Sequence, residues 1–253
     1  MHLRRVAPEI WVGISHTWQT THTVCGTAAA LVIDGPVSAV EQAALAARVT
    51  ASHLIPTHAD WDHLLAPRAF PHATRSANAA TIDRLRSDHD AISDELARWD
   101  ASQRQPIRPL PDWRDAQAIR PPVTISSPVG PIEISSTPGH TRDGIALLIT
   151  DHGALIAGDY LSPCEVPSLA ADARWEDYLA SLDLLERLLM GARCVVPGHG
   201  WPLDVARART ILTEDRAYVA GLGRGHDPPL PRQRANASQQ RQHGANLAAV
   251  RAR

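Results

Sequence analysis

Four potential metal ligands fall within the six-residue run His58-Ala59-Asp60-Trp61-Asp62-His63. Three further candidates follow at wide intervals, each next to a glycine and each after a short apolar run. They are His140 in Pro138-Gly139-His140, Asp159 in Ala157-Gly158-Asp159 and His199 in Gly198-His199-Gly200. Imidazole nitrogens and carboxylate oxygens suit zinc, iron and manganese. Two such ions a few Å apart can share one carboxylate and one hydroxide, bring the pKa of a bound water toward neutrality and polarise a scissile bond. Chemistry of this kind needs no Ser-His-Asp arrangement. Taken alone, the hexapeptide would equally suit a helix N-terminus capped by Asp60 or Asp62. A single Gly-His would be an ordinary loop histidine. The combination points to metal.

Short buried strands leading directly into these residues would hold them still. Apolar runs predict strands at 10–15, 27–34, 52–56, 123–126, 132–137, 145–150, 154–157 and 194–196. Helical spacing covers 37–49, a middle region of about 77–99, 177–190 with its leucine stripe, and 205–222. The proline-rich stretch 104–122 reads as a loop. After residue 222 Pro, Arg, Gln and Asn dominate, which predicts one domain over 1–222 and a tail over 223–253, loose or packed on the domain, with a short last helix at 245–251. Strands, a helix and a His-bearing strand end occur once before residue 65 and again before residue 200. That mixture implies an α/β protein whose sheets are covered by helices.

The HxDxDH run followed by separate His, Asp and His residues resembles the metallo-β-lactamase superfamily, whose signature is HxHxDH, over roughly residues 10 to 205. The resemblance implies an αββα four-layer sandwich, two mixed β-sheets flanked by helices, with metals at one edge. It also implies that His58, Asp60 and His140 hold one divalent ion and that Asp62, His63 and His199 hold the other. Asp159 would bridge them, and Asp62 and Asp159 would be the catalytic carboxylates. Two zinc ions are expected. Asp60 stands where the family pattern has histidine, and a carboxylate there brings iron or manganese into consideration; the flavodiiron branch of the family has a glutamate at that position.

The functional expectation is a metallo-hydrolase that directs a metal-bridging hydroxide at an ester-like small molecule: a thioester, a lactone or a carboxylic ester. The glyoxalase II-like branch is the relative to consider. The alternatives are an iron-dependent redox enzyme, a phosphodiesterase and a non-catalytic metal-binding protein. A net charge of -2 without a basic stretch argues against a nucleic-acid partner. No apolar run approaches the roughly 18 residues of a membrane span, and no export signal is evident, so a cytoplasmic location is expected. All 25 basic residues are arginine, which removes Schiff-base chemistry. Trp18, Trp61 and Tyr160 adjoin the motif or lie in a loop over it and are the candidates for substrate contact. The segments 15–24, 98–122 and 161–175 are the candidate specificity loops.

Overall fold

The computed structural model describes residues 2–169 and 174–251. The chain opens with β1 (Leu3–Ala7), β2 (Ile10–Ile14), β3 (Thr21–Cys25) and β4 (Ala30–Ile33), paired antiparallel in that order. Helix α1 (Ala39–Ala46), started by a capping box between Ser38 and Glu41, then reverses the chain. It returns as β5 (Ala51–Ile55), which pairs parallel to β4. A 3-10 turn (Trp61–His63) and α2 (Ala66–Ala69) precede β6 (Thr74–Asn78). Helices α3 (Ala79–Ser87) and α4 (His89–Ser102) come next, then β7 (Gln117–Ile119). These seven strands form one sheet in sequential order.

The second sheet has the order β12-β11-β10-β9-β8. It is built from β8 (Val123–Ser127), β9 (Gly130–Ser136), β10 (Ile145–Ile149), β11 (Ala154–Gly158) and β12 (Cys194–Pro197). Helix α5 (Trp175–Leu188) crosses between β11 and β12, which are parallel; α6 (Val205–Gly223) and α7 (Ala237–Arg251) complete the chain.

Three buried apolar clusters separate four layers. Leu31 and Ile33 of β4 face Ile145, Leu147 and Ile149 of β10 between the sheets. The alternate residues, Ala30 and Val32, pack under Leu45, Ile82, Leu85 and Leu96 of the first helical layer. On the other sheet Leu148 and Leu155 pack under Leu182, Leu185, Ile211 and Val219. This is the expected αββα sandwich. Strands buried on both faces have no polar side to display, so β4, β10 and β11 read as continuous apolar runs.

Several expected elements differ. The run 27–34 is strand only at Ala30–Ile33, and β3 occupies 21–25, where a loop was expected. β1 and β6 carry too many polar residues to announce themselves, and β7 is only three residues long. The last helix runs over Ala237–Arg251 rather than 245–251. Its Leu247 and Val250 pack on the second helical layer, and the fully buried Arg234 ties its approach to Asp215 at 2.6 Å and Glu214 at 2.9 Å. Among the described residues no helix is long and apolar enough to cross a membrane.

Candidate metal centre

The two sheets meet at one edge. There the N–H of Thr21 donates to the Gly198 carbonyl at 2.7 Å, and the N–H of Ile145 donates to that of Thr57 at 3.0 Å. The candidate ligands leave the ends of four strands at this edge. His58 follows β5, with Asp62 and His63 on the 3-10 turn just beyond; His140 follows β9, Asp159 follows β11 and His199 follows β12. Glycines make the close approach possible. A Cβ on Gly198 would lie 1.9 Å from an Asp159 oxygen, and a Cβ on Gly139 would strike the Tyr178 backbone at 2.3 Å.

All seven side chains converge in two groups, His58, Asp60, His140 and Asp159 in one and Asp62, His63 and His199 in the other. In the first, Nε2 of His140 lies 3.2 Å from Oδ2 of Asp60 and 3.2 Å from Oδ2 of Asp159. Nε2 of His58 is 3.5 Å from Asp60 and 3.7 Å from Asp159. In the second, Nε2 of His63 and Nε2 of His199 face one another at 3.4 Å, and each stands 3.6–3.7 Å from Oδ2 of Asp62. Asp159 also reaches this second group, with Oδ1 3.2 Å from His63 and Oδ2 3.2 Å from His199.

Every imidazole presents Nε2 because Nδ1 is engaged elsewhere. His63 donates from Nδ1 to Asp34 at 3.0 Å, His199 to the Trp18 carbonyl at 3.0 Å and His140 to the Ser168 carbonyl at 3.3 Å. The Thr57 hydroxyl donates to Asp34, so the His58 Nδ1–H donates to Thr57, at 3.0 Å. With Nδ1 as the donor on each ring, Nε2 is the nitrogen left to offer a lone pair to an ion. Among the described residues His58 Nε2 and Asp159 Oδ1 are buried with no hydrogen-bond partner. Donors about 2.0–2.1 Å from one ion stand about 3.3 Å apart along a tetrahedral edge, close to the spacings found here. The donor set therefore fits divalent cations.

The electrostatics call for positive charge. Burial opposes ionisation of Asp60, yet His58, His140 and Arg84 hold its carboxyl well below the usual range. Asp159 is lowered in the same way against burial, by His199, His63, His58 and His140. Burial pushes the His140 imidazole down, and Asp159 and Asp60 more than reverse this, raising it to about 10.

A cavity of about 400 Å³ opens over the centre, lined by Asp60, Asp62, His140, Asp159 and His199 on its floor. Trp18 and Glu165 stand on its walls, and α7 supplies Ser238, Gln239, Arg241 and Gln242. Trp18 is a half-exposed wall residue whose ring meets Trp61 edge-on at 5.2 Å and Trp99 at a tilt at 4.7 Å, centroid to centroid. Trp61 and Tyr160, by contrast, do not line this cavity. Trp61 is buried in the first helical layer beneath Trp18. Tyr160 is buried beside Tyr178, where its hydroxyl donates to the Pro138 carbonyl at 2.8 Å and accepts the His140 N–H at 3.1 Å. It fixes the backbone that carries His140. Of the expected specificity loops, 15–24 contributes Trp18 and 161–175 contributes Glu165, Val166 and Ser168, with 170–173 outside the described residues. The stretch 98–122 contributes no wall residue; it is pinned instead by the buried Arg108–Asp100 pair at 2.7 Å.

Asp34, Arg84 and Glu165 carry no sequence signal for a place around the centre. Asp34 sits in an Asp-Gly-Pro turn and Arg84 is one arginine of a helix.

Among solved structures, a metallo-beta-lactamase family protein from Thermus thermophilus is similar at 19% identity with a TM-score of 0.70. The match covers 97% of this chain and 93% of that one. The stereoselective inverting sec-alkylsulfatase Pisa1 from Pseudomonas sp. is similar at 14% identity with a TM-score of 0.72, covering 98% of this chain but 49% of that one. The DIM-1 metallo-beta-lactamase is similar at 16% identity with a TM-score of 0.60, covering 87% of this chain and 96% of that one. No curated protein matches. At these identities the structures speak for the fold. Residues 24–199, spanning every candidate ligand, match the family model described as the metallo-beta-lactamase superfamily, and the chain belongs to that superfamily.

Proposed function

We propose that this protein is a metal-dependent hydrolase of ester-like small molecules: thioesters, lactones or carboxylic esters. The observation that carries the reading is the convergence of four Nε2 atoms and three carboxylates at the base of an open cavity, each ring's Nδ1 held by an acceptor behind it. Two divalent ions, zinc first, would be held by His58, Asp60, His140 and Asp159 and by Asp62, His63 and His199, supplying Lewis acidity and a water of lowered pKa.

The chain's own residues do the rest. Asp62 is kept in place by the Thr20 hydroxyl, which donates to its Oδ2 at 2.9 Å. Asp62 and Asp159 both border the cavity and are the carboxylates positioned to accept a proton from an attacking water. Trp18 offers an apolar wall, while Arg241 offers hydrogen-bond donors at the mouth. The cavity's size suits a small molecule.

The test is a hydrolysis panel on zinc-loaded protein with a thioester, a lactone, a carboxylic ester, a phosphodiester, an alkyl sulfate and a β-lactam. The last two are included because structural neighbours bear those names. Turnover of one of the first three, abolished by chelator and restored by zinc, is the expected result. Turnover confined to the others, or none with metal bound, overturns the proposal. Asp60 favours a second reading, iron-dependent redox chemistry, because a carboxylate suits a harder ion. Full hydrolytic activity with zinc alone disposes of it.

A further inference from the structure

The centre's departure from the superfamily motif has a partner elsewhere in the chain. Asp60 stands where the motif has histidine, and a carboxylate differs from imidazole in two ways: it carries a charge, and it offers two donor atoms where the ring offers one. Helix α3 answers both. Arg84 Nη2 donates to Oδ1 of Asp60 at 2.7 Å, and Nη1 donates to Oδ1 of Asp143 at 3.0 Å; the Arg84 side chain is only 12% exposed. Asp60 is left with Oδ2 alone turned toward Nε2 of His58 and His140.

The far end of this bridge is anchored. Asp143 is fully buried, and its Oδ2 accepts the N–H of Ala59 at 2.8 Å and the hydroxyl of Thr81 at 2.9 Å. Asn78, which caps α3, donates to the Asp143 carbonyl at 2.8 Å. The backbone between His58 and Asp60 is thus tied to the helix that supplies Arg84. A guanidinium fork can serve two carboxylates at fixed angles, which an ammonium cannot.

We propose that Arg84 is the positioning residue for Asp60. It occupies Oδ1, offsets part of the added negative charge and leaves Asp60 a one-oxygen ligand in the place of an imidazole. Asp60 and Arg84 then act as one unit, and changing either alone damages the first ion's site. This rests on the metal-centre reading above, and the following test separates the two.

Zinc and cobalt(II) content is measured per chain by elemental analysis, affinity by chelator competition and ligand geometry from the cobalt(II) absorption spectrum. These are followed in the parent protein, Arg84→Met, Asp60→His, and the double variant Asp60→His with Arg84→Met. Two ions are expected for the parent. Arg84→Met and Asp60→His should each weaken one ion about 10–100-fold, the size seen when a residue behind a ligand is lost, and should alter the cobalt spectrum. The second ion should be retained. The double variant should recover affinity, because a histidine at 60 no longer needs a guanidinium and no longer faces one. Should Arg84→Met fail to fold with Asp143 left unpaired, Asp60→His alone decides the matter, since it keeps the Arg84–Asp143 pair. Parent-like affinity for both ions in Asp60→His, or in a folded Arg84→Met, overturns the role of Arg84 while the metal centre stands. A parent that binds no metal overturns both.

Discussion

A histidine aims a lone pair only if something takes the proton from the other side of its ring, and at this centre Asp34 does so twice. Its Oδ2 accepts Nδ1–H of His63 at 3.0 Å and, at 3.0 Å, the hydroxyl of Thr57 that in turn accepts Nδ1–H of His58. Its Oδ1 accepts the Thr57 N–H at 2.7 Å. One buried carboxylate therefore fixes Nδ1 of one ring in each candidate ligand group. Asp34 also has φ +58, a conformation that aspartate and asparagine tolerate better than most residues. Asp34→Asn keeps the backbone content and the volume, but it removes the charge and one acceptor. We expect zinc affinity to fall about 10–100-fold, as is usual when the partner of a ligating histidine is lost; chelator competition that returns the parent value would show Asp34 to be dispensable. The seven residues that converge were legible because ligand-type side chains sit beside glycines at the ends of apolar runs. Asp34 and Arg84 were not, since their roles arise from contacts with residues 23 to 59 positions away that only the fold creates.

Elements differ in how plainly their sequences announce them. β4, β10 and β11 are apolar throughout because both faces are buried. β3 has polar residues at its first three positions, all buried near the sheet junction, and its pattern is that of a loop. Helix α7 is the clearest case of structure without an apolar stripe: hydrogen bonds hold it as much as Leu247 and Val250 do. Asn246, fully buried, donates to the Pro167 carbonyl at 2.7 Å and the Tyr218 hydroxyl at 3.0 Å, and it accepts the Leu169 N–H at 2.9 Å. Gln239 accepts the Val166 N–H at 2.8 Å. The same helix forms one wall of the cavity, so its anchoring bears on substrate binding. Asn246→Leu strands a buried carbonyl and a buried N–H, each costing about 1–3 kcal/mol. Amide exchange over 237–251 should quicken, and KM should rise more than kcat falls. Unchanged exchange across that helix would mean that packing alone secures it.

At the scale of the whole molecule, three apolar layers between two sheets and their helices give the chain its stability, and the coarse repetition of strand, helix and His-bearing strand end was legible in the residues alone. The order of strands within each sheet was not, because many buried runs of similar length satisfy the same pattern. One polar residue in the interior has consequences for the molecule as a whole. His22 on β3 is 1% exposed, lies across Gly13 so closely that a Cβ there would fall 2.1 Å from the ring, and has no hydrogen-bond partner on either nitrogen among the described residues. Burial pushes the imidazole down to about 4, against the pull of Glu41 and Asp34. The folded state thus keeps His22 neutral over a range in which the unfolded chain, with an ordinary value near 6.5, takes up a proton. Stability from this residue is complete above pH 6.5 and is lost as the pH falls toward 4, by up to about 3 kcal/mol at 1.36 kcal/mol per unit. His63, His140 and His199 shift the other way, so total stability is a poor readout and the difference between two proteins is a good one. His22→Phe keeps a flat ring against Gly13 and removes the titration. Denaturant unfolding of both metal-free proteins should show the variant gaining on the parent by about 2–3 kcal/mol between pH 7 and pH 4.5. A difference that stays constant with pH would mean that His22 takes up its proton without unfolding.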